Sequence, residues 1–266
     1  MAEQTTKNTT YFTGFLVAFI GAVLFSTKAI MVKKAFADTD ADALTLLTFR
    51  MIFSLPFYII IAFFTSRRQT NIKFTTKEWL LIGFLGIIGY YLSSLFDFVG
   101  LQYISAGIER LILFLYPTFV LLINALVFKE RGSKIQWLAV ALTYVGVVLA
   151  YLGELSFEKD NPNFLLGSGL IFLCAITFAI YIAGSGRVIP AVGATKFTAY
   201  AMLFSTAGIF LHYVVKGNYA LLHSGSNYVG YGFLIAIIAT VIPSWLVAAG
   251  TKAIGSNNVA IISTIG

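Results

Sequence analysis

Eight runs of about 20 predominantly apolar residues follow one another along this chain, near residues 11–33, 42–64, 79–100, 105–128, 134–153, 164–185, 196–215 and 228–250. A ninth run begins near Ser256. Twenty helical residues rise about 30 Å, the thickness of a bilayer's hydrocarbon core. Lipid offers no partner to backbone N–H and C=O groups, so a spanning segment is either a helix or a strand of a closed barrel. The runs are continuous and do not alternate with a period of two, which excludes the barrel. Composition agrees: 59% of the 266 residues are hydrophobic and 11% are Asp, Glu, Lys or Arg, against roughly a quarter charged in soluble domains. The sequence therefore predicts an all-α, multi-pass membrane protein whose outer solvent is lipid.

Two features of the chain mimic other classes. Lys7, the run from Tyr11 and Ala35-Phe36-Ala37 resemble a cleaved signal peptide. The run is too long for one, and Lys28, Lys33 and Lys34 crowd the cleavage region, so it is read as a retained first helix. The net charge of +7 would suit a nucleic-acid binder, but the basic residues lie in short loops and set orientation instead. The single cysteine, Cys174, allows no disulfide and no cysteine zinc site within one chain.

Counting loop charges orients the chain. Lys7, Arg67, Arg68, Lys73, Lys77, Lys129, Arg131, Lys134, Arg187, Lys196 and Lys252 fall on the N-terminal side. Lys33, Lys34, Arg110, Lys159 and Lys216 fall on the other, with six carboxylates between Asp38 and Asp160. Eleven against five puts the N-terminus in the cytoplasm by the positive-inside rule. The expected location is the inner (plasma) membrane.

The chain also resembles itself at an offset of 150 residues. Ile87, Ile88, Ser94 and Gly100 fall on Ile237, Ile238, Ser244 and Gly250, and Leu101–Ala106 falls on Thr251–Ser256. Thr27, Ala29, Ile30 and Thr48 fall on Thr177, Ala179, Ile180 and Thr198. Helix boundaries match under the same shift without gaps. Each repeat then holds five helices, an odd number, so the two copies cross the membrane in opposite senses, which is a transporter signature. The expected units are a first repeat over 11–153 and a second over 164–266. By the same arithmetic the second repeat should run roughly 40 residues past Gly266, so ten helices are expected in total and the chain is expected to be a piece of a longer protein.

Several stretches resemble the EamA-type repeat of the drug/metabolite transporter superfamily. One runs Ser105-Ala-Gly-Ile-Glu-Arg-Leu-Ile-Leu-Phe-Leu-Tyr-Pro117, continues into Phe128-Lys-Glu-Arg131, and is followed by Ala141–Leu149. Arg50, in Thr-Phe-Arg-Met, also looks like the family. The resemblance implies ten helices, a central cavity and export of small metabolites. It says little about substrate.

Charges inside a membrane are expensive and usually face protein or water. Lys28, Arg50, Asp97 and Glu109 all fall in the same outer third of their helices. Lys28 is ~25 Å along the first, Arg50 ~10 Å from the outer end of the second and Asp97 ~27 Å along the third, at about 1.5 Å per residue. They are expected to gather at the outer end of a cavity. Gly14, Gly21 and Lys28 recur every seven residues, a small stripe suited to packing on protein. Gly86, Tyr90, Ser93, Ser94, Asp97 and Gly100 share one face of helix three, and Thr177, Tyr181 and Ser185 one face of helix six. The expected pocket takes its positive groups from Lys28 or Arg50 and its hydrogen bonds from Ser94, Ser244, Thr177 and Asn257. Tyr90, Tyr116, Tyr181 and Trp245 would wall it, and Asp97 and Glu109 are the proton-carrier candidates. Bland readings stand beside these: Lys28 can snorkel, Arg50 can lock to Asp97, Glu109-Arg110 can cap helix four, and Pro117 and Pro243 can be static kinks.

The function expected is transport, most simply efflux, of a small metabolite such as an amino acid or organic anion, by a monomer or homodimer. No cofactor or metal is expected. An intramembrane enzyme is the rival class, but the two histidines, His212 and His223, form no nucleophile–base or HExxH arrangement. The glycine–serine pairs around Ser185 and Ser224 sit at helix ends. Without a phosphate-binding loop the chain is not itself a pump driven by nucleotide hydrolysis, and an ion gradient is the expected drive. A membrane sensor or scaffold is the third class.

Overall fold

The computed structural model describes residues 2–40, 42–67, 73–130, 132–154, 161–216 and 225–265. Arg68, Arg131, Glu158, Lys159, Asp160, His223 and Ser224 lie outside the described residues, as does the side chain of Lys7. Among the described residues the fold is entirely helical. In chain order come α1 (Ala2–Asp38), α2 (Ala43–Arg67), α3 (Thr76–Tyr103) and α4 (Ala106–Leu126). Then follow α5 (Lys134–Glu154), α6 (Phe164–Val192), α7 (Ala194–Lys216), α8 (Asn227–Ile254) and α9 (Ser256–Ile262).

Seven of these, all but α5 and α9, are long and apolar enough to cross a membrane by length and composition. The sequence reading had α5 as an eighth complete span. Its described apolar stretch is shorter, Lys134–Leu149, because the side chains of its last turn lie outside the described residues. The outer surface is greasy throughout: Ile135, Leu138, Leu142 and Leu149 on α5 are each at least 60% exposed, and Phe57, Ile60 and Phe64 stand out from α2. A water-soluble surface does not carry apolar patches of that extent.

Local sequence explains where the helices start and break. Thr75 and Glu78 form a reciprocal capping box at the start of α3, the Glu78 Oε2 accepting from the Thr75 N–H at 2.7 Å. Ser105 caps α4, its Oγ accepting from the Ile108 N–H at 3.2 Å. Gly255 precedes α9 at the corresponding place, with φ of +80°, a conformation that suits glycine. α4 is broken in two, Ala106–Leu113 and Tyr116–Leu126, where Pro117 has no N–H to continue the ladder. The break is two residues long, Phe114 and Leu115, at the place where a static kink was one reading of Pro117.

Two π-helical turns interrupt the α ladders, at Ile87–Leu92 in α3 and at Ile237–Val241 in α8. Their first residues are 150 apart. Wide turns of this kind are uncommon and collect at functional sites.

Packing repeats the same relation. α1 lies on α8 as α6 lies on α3, α2 lies on α8 as α7 lies on α3, and α4 contacts α6 as α9 contacts α1. The α2–α7 contact stands between them. Small residues let the backbones close. A Cβ at Gly86 would sit 2.2 Å from the Ala201 carbonyl oxygen of α7, and one at Gly14 would sit 2.6 Å from the Ala253 Cβ of α8.

Candidate functional site

The small stripe on α1 packs on α8 and carries Lys28 inward with it. Lys28 Nζ is 2.8 Å from Asp97 Oδ2 on α3 and 4.0 Å from Glu109 Oε1 on α4. Both carboxylates are fully buried, while the Lys28 side chain is 16% exposed. Apart from that ion pair, the four carboxylate oxygens have no hydrogen-bond partner among the described residues. Lys28 therefore compensates Asp97 closely, while Glu109 has only two loose cations, Lys28 at 4.0 Å and Arg110 at 3.9 Å. Such an arrangement persists only because removing one partner would strand the others in a medium that solvates charge poorly.

Arg50 reaches the same region from α2. It is buried, its Nη2 donates to Ser94 Oγ at 2.8 Å, and its guanidinium lies 5.2 Å from the centre of the Phe98 ring. The sequence allowed a lock between Arg50 and Asp97; Asp97 turns to Lys28, and Arg50 forms no ion pair among the described residues. Its Nε has no hydrogen-bond partner among the described residues. Arg110, one residue beyond Glu109 on α4, approaches that carboxylate only to 3.9 Å.

These cations meet at a cavity of about 70 Å³, room for a few water molecules. Lys28, Arg50 and Arg110 line it, with Tyr90, Ser93 and Ser94 from α3. Asp97 and Glu109 stand behind Lys28 and do not line it. The rest of the wall is largely aromatic and apolar, including Phe25, Phe114, Tyr116, Phe178 and Val247. Ring contacts knit that wall together: Tyr90 to Tyr181 at 4.8 Å, Tyr181 to Phe178 at 6.0 Å, and Phe178 to Tyr116 at 5.4 Å. Tyr116 is fixed by donating its Oη to the Ala260 carbonyl of α9 at 3.0 Å.

Of the residues expected in a pocket, the structure brings Lys28, Arg50, Tyr90, Ser94 and Tyr116 to the cavity surface and sets Asp97, Glu109 and Tyr181 directly behind it. The other four lie elsewhere. Ser244 bonds Tyr58 Oη at 2.9 Å, and the Trp245 ring lies tilted against that same tyrosine at 5.7 Å. Asn257 accepts from Asn124 Nδ2 at 2.5 Å in the α4–α9 contact. Thr177 turns its hydroxyl back to the Leu173 and Cys174 carbonyls, at 2.9 and 3.0 Å.

Sequence reasoning missed Arg110 as a lining residue, having read it as a loop or cap charge, and missed Cys174, Phe178 and Thr240. The 150-residue offset held the signal for two of these. Phe178 corresponds to Lys28 and Thr240 to Tyr90, and all four line the cavity. Leu113 and Ser263 are a third such pair. Tyr90 and Thr240 each belong to a π turn, so both wide turns face this space.

The helical fold has counterparts among known proteins. The EamA-like transporter family matches residues 12–152. The chain belongs to that family. The uncharacterized transporter YcbK of Bacillus subtilis (strain 168) is 29% identical over 100% of this chain and 85% of its own length. A second relative there, the uncharacterized transporter YdfC, is 25% identical over 79% of this chain and 65% of its own. A crystal structure at 20% identity superposes with a TM-score of 0.67, covering 95% of this chain and 83% of that one, and supports the fold. The protein is thus a multi-pass, helical membrane protein of a transporter family, in agreement with the resemblance read from Ser105–Pro117.

Proposed function

We propose that this EamA-family protein exports a small metabolite, such as an amino acid or an organic anion, across the inner (plasma) membrane by alternating access. In this reading two five-helix repeats of opposite topology, ten helices in the complete arrangement, rock about the α2–α7 contact. The N-terminus faces the cytoplasm.

The observation that carries the proposal is the cavity itself. It lies between the two halves, takes equivalent positions from each (28 and 178, 90 and 240, 113 and 263), and presents three cations. The paired π turns and the helix contacts that interchange under the 150-residue shift support two related halves. A site shared between such halves is opened to one side or the other when they exchange conformations. The present cavity is smaller than the ~300 Å³ at which ligand pockets begin, so cargo enters when the halves part.

Proton coupling follows from the unequal compensation of Asp97 and Glu109. A proton on either carboxylate would loosen its hold on Lys28 and free that ammonium for cargo. Lys28, Arg50, Tyr90, Ser94 and Tyr116 are the proposed cargo contacts, with Asp97 and Glu109 as proton carriers. Ser244, Trp245, Asn257, Thr177 and Tyr181 support the walls.

The test uses inside-out vesicles carrying the full-length protein, with uptake of labelled amino acids and organic anions measured with and without a proton gradient. Uptake that depends on the gradient in wild type and loses that dependence in Asp97→Asn is expected. Uptake indifferent to the gradient would return Asp97 to a structural role, and no uptake of any compound would end the transport reading.

A further inference from the structure

We infer that the cavity selects a small monocarboxylate with an apolar, preferably aromatic, body, and discriminates against the corresponding amino acid and amine; this rests on the cavity being the transport site. The charge inventory is the first reason. Lys28, Arg50 and Arg110 stand against Asp97 and Glu109, leaving one uncompensated positive charge. Among the described residues the lining contains these three cations and no carboxylate.

Arg50 supplies the second reason. It is 2% exposed and lines the cavity, one Nη is held by Ser94, and its Nε is left without a partner. A buried guanidinium with an unmet N–H is unfavourable until an acceptor arrives, and a carboxylate is the acceptor that fits its planar fork. Lys28 and Arg110 converge on the same space and add charge without competing for that N–H.

The third reason is polarity of the walls. Every lining charge comes from the first half of the chain, while the second half contributes Phe178 and Val247 beside the small polar groups of Cys174, Thr240 and Ser263. Phe25 and Phe114 extend the apolar side. An acid with its carboxylate on Arg50 would therefore rest its body on Phe178. An α-ammonium on the same molecule would sit among three cations and find only hydroxyl acceptors, because the two carboxylates are sealed behind Lys28. Like charges at such range in a poorly polarisable site repel strongly.

Three probes with one aromatic body separate the head groups: phenylacetate, phenylalanine and phenethylamine. They are titrated against the full-length protein in nanodiscs, and their flux is measured in proteoliposomes. Saturable phenylacetate binding is expected, with phenylalanine at least 10-fold weaker and phenethylamine undetected. Arg50→Gln should weaken phenylacetate at least 10-fold, with Arg50→Lys in between. Arg110→Gln, at a partly exposed position, repeats the test should the Arg50 variants fold poorly. Phenylalanine or phenethylamine binding as tightly as phenylacetate, no phenylacetate binding, or a well-folded Arg50→Gln and Arg110→Gln pair with unchanged affinity would overturn the inference. Flux of phenylalanine without phenylacetate would overturn it while leaving transport intact. Phenylacetate bound but never moved would leave the selectivity standing and end the transport reading.

Discussion

The two halves of this chain share their architecture and differ in their charge. Under the 150-residue shift the π turns coincide, Ser105 and Gly255 both open a helix, and Ser94 and Ser244 both reach α2, one to Arg50 and the other to Tyr58. The buried charges do not coincide. Lys28, Arg50, Asp97, Glu109 and Arg110 correspond to Phe178, Tyr200, Val247, Val259 and Ala260, none of them a charged residue. What both halves keep are the features a helix bundle in lipid needs: breaks, caps and close packing. What only one half keeps is costly in lipid and so calls for a use. The asymmetry gives every charge on the cavity surface to the first half, while the second half contributes only uncharged lining residues.

The severest way to break this comparison is to remove the charged half's central residue. Lys28→Ala strands the buried Asp97 carboxylate and leaves Glu109 only its long contact to Arg110, and a stability loss of ~3–5 kcal/mol is expected, with transport abolished. Adding Asp97→Asn and Glu109→Gln should return most of the stability, read as thermal unfolding in detergent, without returning flux. Recovery of flux in the triple variant would mean that the charges serve the fold alone.

The two equivalent serines give a finer contrast. Ser244→Ala leaves the buried Tyr58 hydroxyl without its partner and should cost about 1–3 kcal/mol with cargo affinity unchanged. Ser94→Ala unties Arg50, and should change cargo affinity several-fold with a smaller loss of stability. Melting curves and binding isotherms on the same preparations decide whether the two serines differ in this way.

Cys174 offers the mildest probe, since it lines the cavity beside Ser93, their Sγ and Oγ 3.3 Å apart. Cys174→Ser should leave transport within about two-fold of wild type, in keeping with the small effect of near-isosteric swaps. A buried thiol in apolar surroundings reacts slowly, so a small thiol reagent should inhibit the wild type only on prolonged exposure, and cargo should slow that inhibition further. Inhibition that persists in Cys174→Ser would place the reactive group elsewhere.

The membrane helices were legible in the sequence because lipid imposes one rule on every residue of a span, and twenty apolar residues in a row satisfy it visibly. That Lys28, Arg50, Asp97 and Glu109 would gather was expected for a related reason, since charges at similar depth in lipid have few other partners, but the partner of Asp97 was read as Arg50 and is Lys28. The neighbours of single hydroxyls were not. Thr177 shares the apparent face of Tyr181, yet its short side chain bonds its own helix, a choice made within one turn that no periodicity records. Ser244 and Trp245 depend on how α8 rotates against α2, which only the packed bundle decides. Arg110 was misplaced because a residue near the start of a helix looks like a loop charge until the break at Phe114 and Leu115 shows how α4 bends over the cavity.

The most direct test of a charged, cargo-binding half facing an uncharged, supporting one is a paired flux measurement on the equivalent positions 50 and 200. Arg50→Gln and Tyr200→Phe are reconstituted side by side, with transport normalised to folded protein. Tyr200 bonds Ser66 Oγ at 2.8 Å near the α2–α7 contact, so its variant should lose about 1 kcal/mol of stability and keep wild-type flux. Arg50→Gln should lose at least 10-fold in flux. Equal flux from the two variants would contradict the assignment of cargo binding to the charged half.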